Sequence, residues 1–167
     1  MKIYIIGSVG SGKTTLARKI AEKKDITAYE LDNVVWERHP DGDRRRASAE
    51  RNAILQDIVK KDSWIIEGAQ HADWVLPAMQ SADQILFLDP PNRVRQYRIV
   101  KRFIRQKLHL EKANYRPSLH ILRRMFAWNA QFQNQDRKQV FHSLRSFSKK
   151  IVLLRTKRDI NRIVDLI

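Results

Sequence analysis

The 167-residue chain reads as a three-layer α/β fold, a parallel five-stranded sheet with helices on both faces. Three observations predict it. Short β-rich runs alternate with helical patterns along the chain. Those runs are apolar at nearly every position, as strands buried on both faces require. A glycine-rich turn stands between the first strand and the first helix.

In order, "KIYII" (2–6) is a strand ending at Gly7, and "TTLARKIAEKK" (14–24) is a helix with Leu16, Ala17, Ile20 and Ala21 on one face. "ITAYEL" (26–31) is a second strand ending at Asp32. A polar loop (37–46) carries turn residues Pro40, Asp41 and Gly42. Ser48 is placed to cap a helix running to about residue 61. "WIIEG" (64–68) and "QILFLD" (84–89) are the third and fourth strands, separated by at most a short helix. A basic helix over 93–108, a polar segment over 109–118 and a long helix over 119–145 follow. "KIVLLR" (150–155) is the fifth strand, and a last helix starts near Lys157.

With 43% hydrophobic residues, the chain is expected to form one globular domain over 1–167, with no linker or repeat. The absence of cysteine excludes disulfides and thiolate metal sites and suits a reducing cytoplasm. Ile3 to Ile6 is too short to be a leader or membrane span, so a cytoplasmic protein without a membrane partner is expected. The five histidines show no ligand spacing. Charge is uneven. Residues 1–90 carry 13 Lys and Arg against 14 Asp and Glu, whereas 91–167 carry 20 against 4. That half attracts polyanions, nucleotide and nucleic acid alike.

"GSVGSGKT", Gly7, Ser8, Val9, Gly10, Ser11, Gly12, Lys13 and Thr14, fits G-x-x-x-x-G-K-[ST]. Glycines let successive backbone N–H groups face an anion, and the following helix adds its positive end. Lys13 is expected to reach the β- and γ-phosphates of ATP, Thr14 to ligate Mg²⁺, and Thr15 to donate to the α-phosphate. "TKRD" (156–159) fits the guanine-reading [NT]-K-x-D, but no D-x-x-G occurs in the chain. Asp159 then reads as a first-turn helix acid.

Residues at the carboxyl ends of parallel strands line the ligand crevice. Glu67 is thus a candidate for holding the Mg²⁺ shell, and Asp32 for orienting or deprotonating an acceptor hydroxyl. Asp89 is the second choice for the metal. His71 is a candidate acceptor contact, and Arg44, Arg45 and Arg46 lie where an acceptor's phosphate would sit.

"IIGSVGSGKTTLARKIAE", "LDNVVW", "WIIEG", "ILFLDPPNRVRQYRIVKR" and "IVLLRTKRDI" together resemble the DNA topology modulation proteins, in the adenylate-kinase-like branch of P-loop proteins. The resemblance covers nearly the whole chain and implies a nucleoside-monophosphate-kinase core with strand order 2-3-1-4-5. It puts Glu67-Gly68 where the kinases carry the Asp-Gly near Mg²⁺, and Arg98 and Arg102 on the R-x-x-x-R of an arginine lid, here about 95–118. It sets Arg155 near the adenine. Val9 replaces the usual P-loop proline, and the base-reading segment after strand two is not recognisable.

"RVRQYRIVKRFIRQK" (93–107) carries seven cations and no acid. On a helix of about 100° per residue, Arg95, Arg98, Arg102 and Arg105 fall within an arc of roughly 80°. Val94, Tyr97, Val100, Phe103, Ile104 and Leu108 take the neighbouring half and are expected to pack on the body. Rigid guanidinium forks suit a transferring phosphoryl group. The expected activity is ATP- and Mg²⁺-dependent phosphoryl transfer to a small nucleotide-like or hydroxylated metabolite. A nucleic-acid-associated ATP-binding regulator is the alternative, because Lys112, Arg116, Arg123, Arg124, Arg137, Lys149 and Lys150 extend the positive field. A module that senses nucleotide without turnover is a third.

Overall fold

The computed structural model describes residues 1–111 and 117–167. The chain forms β1 (Lys2–Gly7), α1 (Lys13–Lys24), β2 (Ala28–Glu30), α2 (Leu31–Val35), β3 (Trp36–Glu37) and β4 (Arg44–Arg45). It continues through α3 (Ser48–Val59), β5 (Trp64–Gly68), α4 (Leu76–Ser81), β6 (Gln84–Leu88) and α5 (Asn92–Lys107). Last come α6 (Leu119–Gln131), a π-helical turn (Phe132–Asp136), α7 (Arg137–Leu144), β7 (Ile151–Leu154) and α8 (Lys157–Leu166).

The main sheet has the order β2-β5-β1-β6-β7 and is wholly parallel. Counting its own strands in chain order, this is the expected 2-3-1-4-5. β3 and β4 form a separate antiparallel pair. Ile3, Ile5, Ile65, Leu86 and Leu88 face Leu16 and Ile20 of α1 and Ile163 of α8. Tyr4, Ile6, Ile66 and Phe87 face Leu31, Leu55, Met79, Phe132 and Val140 on the other side. The uniformly apolar strands are therefore explained: both faces of the sheet lie under helices.

Several local expectations need correction. The second strand stops at Glu30, and Asp32 sits in the first turn of α2 rather than at a strand end. Ser48 is the first residue of α3, with Ala47 in the capping position. The long helix over 119–145 is broken by the π turn, whose wider hydrogen-bonding ring leaves no mark in a 3.6-residue periodicity. Of the polar segment 109–118, residues 112–116, with Lys112 and Arg116, lie outside the described residues.

The largest correction concerns α5. Its buried residues are Arg95, Ile99 and Gln106, whereas Tyr97, Ile104 and Leu108 are at least half exposed. Arg95 and Arg98 of the arginine edge pack on the body, Arg102 and Arg105 stay exposed, and most of the apolar half faces outward. The reason is the partner surface. Arg95 Nε donates to Asn129 Oδ1 (2.8 Å), Nη1 to the Pro90 carbonyl (3.0 Å) and Nη2 to Gln133 Oε1 (2.5 Å). Its guanidinium also lies over the Phe132 ring and 3.6 Å from Asp89. A cation so bonded is held inside where a Leu would deprive Asn129 Oδ1 and Gln133 Oε1 of this donor.

Truncating that cation should be severe. Arg95→Ala is expected to cost about 3–5 kcal/mol, the range for breaking a buried ion pair. Urea unfolding checks this; a loss below about 1 kcal/mol would mean that the network adds little.

Candidate active site

The P-loop joins β1 to α1. Gly10 and Gly12 have φ of 74° and 99°, a left-handed backbone that a side chain resists. A Cβ on Gly10 would stand 2.8 Å from the Arg95 carbonyl oxygen, so the loop lies directly against the α5 backbone. The Ser11 amide donates to the Ser8 carbonyl (3.2 Å), and the Ser8 hydroxyl to the Val9 carbonyl (3.1 Å). Gly7 is buried, Val9 half-buried and Thr15 exposed at the start of α1. The Ser11 hydroxyl is buried and finds no hydrogen-bond partner among the described residues.

Glu67 ends β5 beside this loop and is 4% exposed. The Thr14 hydroxyl donates to its Oε1 (2.5 Å), and Lys13 Nζ stands 3.9 Å from its Oε2. Lys13, Thr14 and Glu67 are thereby brought together. Burial pushes the Glu67 carboxyl above its ordinary pKa. Lys13 and Thr14 pull it back, and the charges of Glu30 and Asp32 push it up further. Asp32 is exposed and lies on the same side of the crevice. Glu30, which sequence reasoning passed over, pairs with Glu67 across the sheet and lies 3.3 Å from Arg18.

The arginines part company. Arg98 Nη1 donates to the Ser11 carbonyl (2.6 Å), lying on the P-loop itself. Arg102 and Arg105 reach outward to Glu111, at 3.6 and 3.3 Å. Asp89, the second-choice metal carboxylate, is instead held by arginines. Arg137 is bidentate on it at 2.7 and 3.0 Å, and Arg95 and Arg155 lie at 3.6 Å. Arg155 follows β7 and is 54% exposed in its side chain. Arg137 counted in the sequence only as part of a basic field; its place on Asp89 follows from a helix register that the π turn resets.

Arg44 and Arg46 are engaged by Glu37 and Glu50 in the β3–β4 region, and His71 faces Gln139 at 3.4 Å. "TKRD" is a capping box: the Thr156 hydroxyl accepts from the Asp159 amide, and Asp159 accepts from the amides of Arg155 and Thr156.

The loop fits a triphosphate and the Thr14–Glu67 pair fits a hydrated Mg²⁺. Left-handed glycines shape an anion cradle, a buried hydroxyl awaits a partner, and a buried carboxylate stands beside the motif threonine. Among the described residues no three His, Asp or Glu side chains converge as a metal centre. No helix there is long and apolar enough to cross a membrane.

Three solved structures similar to the chain are kinases by title. A shikimate kinase from Acinetobacter baumannii in complex with shikimate gives a TM-score of 0.56 at 17% identity, over 99% of this chain and 91% of that one. A sugar kinase from Janibacter sp. HTCC2649 gives 0.52 at 17%, over 99% and 90%. A gluconokinase from Sinorhizobium meliloti 1021 gives 0.51 at 16%, over 98% and 87%. No family model and no curated protein sequence matches. The chain therefore shares its fold with these three kinases.

A raised Glu67 pKa means that the folded chain holds this proton more firmly than the unfolded one, so stability falls as pH rises through the shifted pKa. Glu67→Gln should be more stable than the parent at neutral pH, the gap closing as pH drops below the usual carboxylate range. Urea midpoints across pH test this; a less stable variant at neutral pH would show that the Lys13 contact outweighs burial.

Proposed function

We propose that residues 1–167 form one kinase domain that transfers the γ-phosphoryl group of ATP, with Mg²⁺, to a hydroxyl of a small metabolite. The observation that carries this reading is the contact of Lys13 and Thr14 with buried Glu67 at the mouth of a left-handed glycine loop. The three similar kinases make a small hydroxylated acceptor the better choice over a nucleotide. The resemblance to the DNA topology modulation proteins is proposed as kinship within this branch.

Gly7 to Thr15 hold the phosphates, with backbone N–H groups and the start of α1 supplying positive potential. Lys13 leaves Glu67 for the β- and γ-phosphates. Mg²⁺, when bound, neutralises phosphate charge, and Thr14 and Glu67 are the side chains that would hold it and its water. Asp32, exposed and beside the crevice, accepts a hydrogen bond from the acceptor hydroxyl and aligns its oxygen. Arg98 braces the loop from outside. Arg102 exchanges Glu111 for the transferring group, which makes it the moving clamp of a lid. Arg155 lines the adenine side.

The basic excess of residues 91–167 favours one other reading, ATP turnover governed by nucleic acid. Both are tested by ATP consumption with Mg²⁺ over sugars, hydroxy acids and nucleoside monophosphates, with DNA as a separate arm. Acceptor-dependent turnover is expected, lowered at least ~10²-fold by Lys13→Ala. Arg102→Ala should lower kcat by about 10³-fold. Turnover seen only with DNA would replace the kinase reading.

A further inference from the structure

The outward face of α5 serves neither the crevice nor the core. Tyr97 is 65% exposed, Leu108 61% and Ile104 50%, with Val100 and Val94 at 38% and 36%. At about 100° per residue these five side chains cover an arc of roughly 120°, Arg95 standing almost opposite its centre. Arg93 and Lys101 lie within the arc, and Arg105 and Lys107 border it; α5 contains no acidic residue. Tyr97, Val100, Lys101, Ile104 and Arg105 line an open depression of about 220 Å³ between side chains of this one helix. The Arg95 bonds to Asn129 and Gln133 prevent the helix from rolling, so the face is fixed outward.

We infer that this face docks the protein on an anionic lipid surface. Charge complementarity chooses the occupant. A second copy would set Arg93 and Lys101 against their own counterparts with no acid on the helix to neutralise them. Nucleic acid would satisfy the cations but leave Val100, Ile104 and Leu108 unused, since only Tyr97 can stack. An acidic peptide docks into a groove between elements or along a sheet edge, whereas the depression on α5 lies between side chains of one helix. A headgroup layer suits both parts of the pattern. The aliphatic side chains enter the acyl boundary while lysine and arginine stems extend to lipid phosphates. The positive excess of residues 91–167 adds longer-range attraction. Contact of this kind is peripheral and needs no spanning helix.

The test is co-sedimentation of the full chain with vesicles of phosphatidylcholine alone and of phosphatidylcholine mixed with phosphatidylglycerol. Binding is expected to the mixed vesicles only. It should weaken about ten-fold in Ile104→Ser, as removal of one inserted aliphatic side chain implies, and likewise in Tyr97→Ser. Lys101→Glu should weaken it further at low salt. Urea midpoints verify that each variant folds, and two independent apolar positions keep the reading exposed to failure. Absence of binding overturns the inference. So does binding indifferent to both serine variants, which would be adhesion of a basic protein by charge alone. Self-association lost in Ile104→Ser would give the face to a second copy, duplex DNA binding lost in Lys101→Glu without lipid binding would give it to nucleic acid, and either result sinks the lipid assignment.

Discussion

Arg95 is the side chain on which the rest of this architecture leans. Its backbone carbonyl lies against Gly10 of the phosphate loop, and its guanidinium bonds to α6, to the π turn and to the chain leaving β6. One residue thus connects the phosphate loop, the sheet end and helices α5 and α6. Burying a guanidinium is costly unless every donor finds a partner, and here carbonyl, amides and carboxylate supply them. The network also explains why α5 has an apolar exterior. With the inward face committed to polar bonding, the remaining apolar side chains have only solvent to meet.

The crevice is divided by charge. On the β2–β5 side stand Glu30, Asp32 and Glu67, and burial, with the charges of the other two, raises the proton affinity of Glu67. On the β6–β7 side Asp89 gathers Arg95, Arg137 and Arg155. The P-loop sits between, with Lys13 turned to the acidic side and Arg98 on the loop's own Ser11 carbonyl. On the proposed reading, a polyphosphate with its cation would lie along this polarity, the cation toward the acids and the phosphate charge toward the arginines.

Much of this was legible in the sequence. Continuous apolar runs marked the strands because both sheet faces are covered. The glycine-lysine-threonine pattern marked the loop because few other residues tolerate its backbone. Glu67 was found from its place at a strand end. The failures share a cause, which is that periodicity records which residues lie together and says nothing of what they meet. Arg95 and Ile104 lie on different faces of α5, and only the presence of Asn129 and Gln133 opposite decides which face goes inside. Asp32 slipped from strand end to helix start by two residues, within the usual uncertainty of element ends. Arg137 was invisible as a site neighbour because the π turn sets its direction.

That turn has a consequence for how the chain tolerates change in length. Five residues, Phe132–Asp136, separate α6, which carries Asn129 to Arg95, from α7, which carries Arg137 to Asp89 and Val140 to the core. Each residue added to or lost from a helix rotates every later position by about 100°. The π turn works as a phase adjuster, letting two helical surfaces with different targets share one continuous rod. Substitutions on either side are free to accumulate separately, but a single-residue insertion or deletion between them is forbidden, because it would swing Arg137 and Val140 off their targets together.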